Sequence, residues 1–142
     1  MTGIRMGRVI AGGLVAGLII NISEAILNVP VIGSQLEEAL KARNLPAIGG
    51  GAIGFFVAIS FLLGILVVWM YAAMRPRFGP GPKTAIKVAV LAWFLTYFWS
   101  TSSMVVIGFM PSGLSAFGLA WGLVELIVAT LVGAKIYTEP AS

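Results

Sequence analysis

Long apolar runs alternate with short polar or proline-glycine breaks along the chain, and there are four such runs, at residues 9–28, 52–74, 85–109 and 114–137. A helix rises ~1.5 Å per residue, so about 20 residues cross the ~30 Å hydrocarbon core of a bilayer. The pattern predicts an all-α fold, a four-transmembrane-helix bundle forming a single domain over residues 1–142. Pro30 marks the end of the first span, and Pro111, Ser112 and Gly113 make a tight turn between the third and fourth. The second span is nearly unbroken by polar residues, which predicts that it faces lipid more than the others do. Its Gly54 and Gly64 read as packing positions.

The loop at 31–51 is the one sizeable connection. Ser34 followed by Glu37 has the spacing of a capping box, in which each side chain satisfies a free amide at a helix start. Leu36 and Leu40 share a face, and Glu37 and Lys41 are spaced for an i,i+4 ion pair. Asn44, Leu45 and Pro46 stop the run. These features predict a short amphipathic helix on the membrane surface, serving as a lid over the Glu24 end of the first span or as a simple connector. Residues 75–83, RPRFGPGPK, read as a short stiff turn.

Polar residues within the spans fall on single faces. Gly13, Gly17, Asn21, Glu24 and Asn28 are spaced 4, 4, 3 and 4, so they form one stripe on the first helix. Gly118, Gly122, Glu125, Ala129 and Gly133 repeat the motif on the fourth, with glycines four apart followed by a glutamate. Gly13, Gly17, Gly118 and Gly122 are the candidate helix-packing positions, because small residues let backbones approach. On the third helix Trp93, Thr96, Ser100 and Ser103 share a face, flanked by Tyr97 and Thr101. These hydroxyls either bond back to carbonyls or complete a polar cluster with the first helix.

Composition supports the membrane reading. Hydrophobic residues make up 59% and charged residues 10% of the 142, where a soluble domain carries about a quarter charged. The net charge of +4 does not indicate nucleic acid, because no soluble basic face exists to bind it. Arg5 and Arg8 precede an apolar run, as in a signal peptide. The run is too long for a signal core, Asn21 and Glu24 interrupt the cleavage region, and no A-x-A follows, so an uncleaved span is expected. Arg75, Arg77, Lys83 and Lys87 form an acid-free basic group, either a headgroup-binding site or a positive-inside anchor. The positive-inside rule then places both termini and this turn in the cytoplasm, with the 31–51 loop and the Pro111 turn outside.

Cysteine, histidine and aspartate are absent, and the acids are Glu24, Glu37, Glu38, Glu125 and Glu139. No thiolate or imidazole can hold zinc, haem or an iron–sulfur cluster, so no metal or cofactor is expected. A lipid-directed enzyme would need a nucleophile–base pair or a metal, and no enzyme activity is expected. Depth singles out two of the acids. At ~1.5 Å per residue from the inner boundary, Glu24 lies at ~22 Å, Ser100 at ~22 Å, Thr96 near ~16 Å and Glu125 at ~14 Å. Asn28 comes near the outer surface. An unpaired carboxylate at such depth is costly, and no lysine or arginine lies level with either.

The candidate ion- or substrate-binding residues are therefore Asn21, Glu24, Asn28, Thr96, Ser100, Ser103 and Glu125. They would serve a proton- or cation-coupled transporter or channel, a homo-oligomer with its path at a dimer interface lined by the paired glycines. The alternative is a non-catalytic accessory subunit of a larger membrane complex, in which the same groups bond helices together.

The stretch YAAMRPRFGPGPKTAIKVAVLAWFLTY, with SEAILN upstream and WGLVE downstream, resembles a group of bacterial four-span membrane proteins without an assigned activity. The resemblance implies a bacterial inner-membrane location and no mechanism. The small multidrug transporters share only the layout, four helices with a glutamate in the first.

Overall fold

The computed structural model describes residues 3–137; Glu139 and both chain ends lie outside them. Six helices follow in order, α1 Met6–Ile26, α2 Gly33–Ala42, α3 Gly50–Phe78, α4 Pro82–Trp93, α5 Trp99–Val106 and α6 Ser112–Ile136. The described residues contain no strand. A π-helical turn at Leu27–Val31 extends α1, and another at Phe94–Phe98 joins α4 to α5. The result is four helices long and apolar enough to cross a membrane, at Met6–Val31, Gly50–Phe78, Pro82–Val106 and Ser112–Ile136.

Two of the expected boundaries move for identifiable reasons. The first span does not stop at Pro30. The wider π turn tolerates a residue without an N–H, and it is closed by the Ile32 amide donating to the Leu27 carbonyl at 2.9 Å. The second span runs on through Arg75, Pro76 and Arg77 to Phe78. The stiff turn shrinks to Gly79–Gly81, where both glycines take positive φ, +85° and +115°. The buried Tyr71 hydroxyl accepts the Gly81 amide at 2.9 Å, and Thr84 donates to the Gly79 carbonyl at 2.6 Å.

The capping box does not form. Helix α2 starts at Gly33 with Ile32 before it and no side-chain cap, while Ser34 Oγ donates to Gln35 Oε1 at 3.0 Å. The chain enters α2 directly from the π turn, so the Leu36 amide already finds the Ile32 carbonyl at 2.8 Å. The expected Glu37–Lys41 pair is present at 2.8 Å.

Helices α1 and α4 each pack against both α3 and α6, and α3 and α6 also touch each other. Glycines set how close these helices come. A side chain on Gly64 of α3 would stand 2.5 Å from the Gly13 carbonyl oxygen and 2.7 Å from Gly17 Cα, both on α1. Gly12 of α1 and Gly133 of α6 meet in the same way, since a side chain on Gly12 would stand 2.6 Å from the Gly133 carbonyl oxygen. The core between these contacts includes Ala16, Ile20, Val67, Val68, Leu126 and Ala129. Helix α3 is not alone in its exposure, because the third apolar segment is as little buried as the second.

The bundle has two chemically distinct ends. Tyr137 gathers one of them. Its hydroxyl accepts the Arg5 amide at 3.2 Å, its ring meets that of Tyr71, and the Arg75 guanidinium lies 5.8 Å from its centroid. At the opposite end the Arg43 guanidinium lies 5.5 Å from the Phe109 ring, tying the α2 end to the α5–α6 connection.

Candidate functional site

Glu125 sits near the middle of α6, and only 4% of it is exposed. One carboxylate oxygen accepts the Ser23 hydroxyl of α1 at 2.7 Å, and the other accepts the Tyr97 hydroxyl at 2.8 Å. Trp121, one turn earlier on α6, donates its indole N–H to Ser23 Oγ at 2.9 Å. The Glu24 carboxyl adjoins that of Glu125, close enough for a proton on one to bond the other. Asn28 donates to Glu24 Oε2 at 2.9 Å and to the Glu24 carbonyl at 2.8 Å. Glu24 and Asn28 are half-buried, so the cluster grades from a sealed carboxyl on α6 to a more open one on α1.

Local backbone geometry aims these groups. Asn28 lies within one π turn, Glu24 stands three residues before its start, and Tyr97 lies within the other. A π turn adds a residue to the helical repeat and so rotates the side chains that follow it. On α6, Gly122 leaves the space that the Tyr97 ring fills; a Cβ there would overlap ring atoms Cδ2 and Cε2. The ring lies on α6 one turn before Glu125, which brings the phenol to the carboxylate.

The structure thus brings Glu24, Asn28 and Glu125 together. It does not bring Thr96, Ser100 or Ser103 to them. Those hydroxyls donate to the carbonyls of Ala92, Thr96 and Trp99, at 2.6, 2.9 and 2.7 Å, and all three residues are exposed. A hydroxyl four residues past a carbonyl reaches it without help from another helix. Asn21 spends its amide on the Gly17 carbonyl at 3.0 Å and the Val57 carbonyl at 3.4 Å, joining α1 to α3. Trp93 donates to the Leu119 carbonyl at 2.9 Å, joining α4 to α6.

The glycine expectations divide. Gly13 and Gly17 are packing positions, but α3 already covers them within the chain, so they are not free to line a dimer interface. Gly122 is occupied by Tyr97, whereas a side chain on Gly118 would meet nothing within 4 Å. Of the basic group, Arg75 stacks on Tyr137 and the Lys87 ammonium lies 4.4 Å from the Phe78 ring centroid, while Arg77 and Lys83 are exposed.

Sequence spacing missed Ser23 and Trp121 and gave Tyr97 only a flanking place. Ser23 precedes Glu24, and Trp121 stands four residues before Glu125, so both signals were present. Tyr97 carried none, since its direction depends on the π turn. Among the described residues neither glutamate has a lysine or arginine within ion-pair distance, and no three acidic side chains converge.

No family model, curated protein or solved structure matches this chain.

Proposed function

We propose that this is an integral membrane protein in which the Glu24–Glu125 pair takes up and releases a proton or a small cation. What carries the reading is the contact between these two carboxyls, with no basic side chain among the described residues to neutralise them. Two like charges 4 Å apart repel by about 4 kcal/mol at an effective dielectric of 20. A shared proton or a bound cation removes that repulsion, and the hydroxyls of Ser23 and Tyr97 remain to orient the carboxyls. Glu24 is the entry side because it is half-exposed, and Glu125 is the inner station.

In this reading the four apolar helices span a bacterial inner membrane. Arg5, Arg8, Arg75, Arg77, Lys83, Lys87 and Lys135 lie at the cytoplasmic end, beside anionic headgroups. Helix α2 lies in the opposite interface. A homo-oligomer or a larger membrane complex completes the transport path, through a surface other than Gly13 and Gly17.

The test is proton and cation flux into liposomes holding the purified protein, Glu24→Gln or Glu125→Gln. Flux that both substitutions abolish, with helicity and melting intact, supports the reading. Silence across monovalent cations and pH gradients sinks it. One observation favours a second reading. The chain from Trp121 through Ser23 to Glu125 and Tyr97 links α1, the third span and α6, as a structural hydrogen-bond network in an accessory subunit would. Stable copurification with a partner, together with silent liposomes, supports that alternative.

A further inference from the structure

The third span is built in two unlike halves. Thr84, Ala85, Val88, Ala89 and Ala92 are buried on α4, but the π turn and α5 contain no buried residue. Ser100, Ser102 and Ser103 donate only to carbonyls of their own helix, so they fasten nothing to the rest of the bundle. The Trp93–Leu119 bond pins the span just before the π turn. Beyond α5, Gly108 takes a φ of +79°, which gives the far end a second joint. Within this loosely held half, Tyr97 is the residue that reaches the interior, over Gly122 and onto Glu125.

We infer that residues 94–106 form a lid over the carboxyl pair, hinged at the π turn and latched by the Tyr97–Glu125 hydrogen bond. Segments with few buried apolar contacts open at the lowest free energy, and a π turn can pass its extra residue along a helix without breaking it. With Tyr97 withdrawn, Glu125 loses both a donor and the ring that covers α6 at Gly122. The lid would regulate access to the site, so its consequence rests on the carboxyl-pair reading, although its motion does not.

The chain has no cysteine, so paired spin labels report this motion cleanly. One pair, Val106→Cys with Phe117→Cys, spans the lid and α6. The other, Ile86→Cys with Val128→Cys, spans the buried half and α6. All four positions are exposed. In Tyr97→Phe, which keeps the ring, the lid pair is expected to shift to longer and broader separations while the other pair stays unchanged. Gly122→Ala, which keeps the phenol but fills its seat, is expected to give the same shift. A lid pair that keeps its distribution in both variants, or two pairs that broaden together, overturns the inference. Lid motion alongside silent liposomes leaves the latch standing and removes the carrier. Glutamate-dependent flux with an unmoved lid does the reverse.

Discussion

The ring of Tyr97 occupies the space where a side chain on Gly122 would stand. This contact joins the third span to α6 one turn before Glu125, and it places a phenol on a carboxylate that is otherwise sealed. The glycine reserved for helix–helix approach therefore admits a ring rather than a backbone.

Gly122→Ala is expected to destabilise the protein by about 1–3 kcal/mol, because overpacking must move the ring. The higher helix propensity of alanine, worth up to ~1 kcal/mol, offsets only part of that. Gly118→Ala meets nothing and is the matched control, expected to be neutral or slightly stabilising. Unfolding in detergent micelles measures both, and equal behaviour of the two variants would refute the seating of Tyr97.

Gly64→Ala is expected to be costlier than Gly54→Ala. The added methyl would meet the α1 backbone at Gly13 and Gly17, which cannot rotate away, whereas Gly54 has open space around it. Overpacking of this kind costs about 1–3 kcal/mol and occasionally more. The same unfolding assay ranks them, and loss of stability at Gly54 alone would contradict the α1–α3 contact.

Ser23→Ala removes one hydroxyl but leaves two groups short of a partner, the Trp121 indole N–H and one oxygen of Glu125. Each buried group left unsatisfied costs about 1–3 kcal/mol. The expected result is a lower melting temperature with altered tryptophan emission. Adding Trp121→Phe to Ser23→Ala should recover part of the loss, and strict additivity would argue against a shared network.

The α2 ion pair predicts a pH window. The hydrogen bond from Lys41, followed by its charge, holds the Glu37 carboxyl below the usual carboxylate range. The same bond, then the same charge, holds the Lys41 ammonium above its ordinary value. A depressed acid contributes above its unfolded value and loses that contribution as pH falls through the folded one. A raised base contributes below its unfolded value and loses it as pH rises through the folded one. Amide protection across Gly33–Ala42, taken relative to the intrinsic exchange rate at each pH, should thus be greatest at neutral pH and smaller in acid and in strong base. The pair is fully exposed, so added salt should flatten the profile. A profile unchanged in Glu37→Gln would assign the protection elsewhere.

Several features were legible without coordinates because they depend on local order alone. Four apolar runs of bilayer length become four helices, and Gly13, Gly17 and Gly64 become contact points because only a missing side chain lets backbones meet. The Glu37–Lys41 pair follows from i,i+4 spacing. The helical wheel also put Glu24 and Asn28 on one side of α1. For Thr96, Ser100 and Ser103 it left two outcomes open, a bond back to their own helix or a cluster with the first, and the side chains take the former. A hydroxyl can satisfy itself on its own helix, and periodicity does not record which choice it makes.

The sequence by itself determined the number of long helices, the concentration of most basic residues at one end and the scarcity of charge within the spans. Each follows from composition counted along one dimension. Only the tertiary structure decided that Glu24 meets Glu125, that Ser23, Trp121 and Tyr97 surround the pair, and that α3 covers Gly13 and Gly17. Those outcomes depend on which helices become neighbours and on the rotation of each about its axis. Two π turns change that rotation partway along a helix, through a backbone register that no residue type specifies.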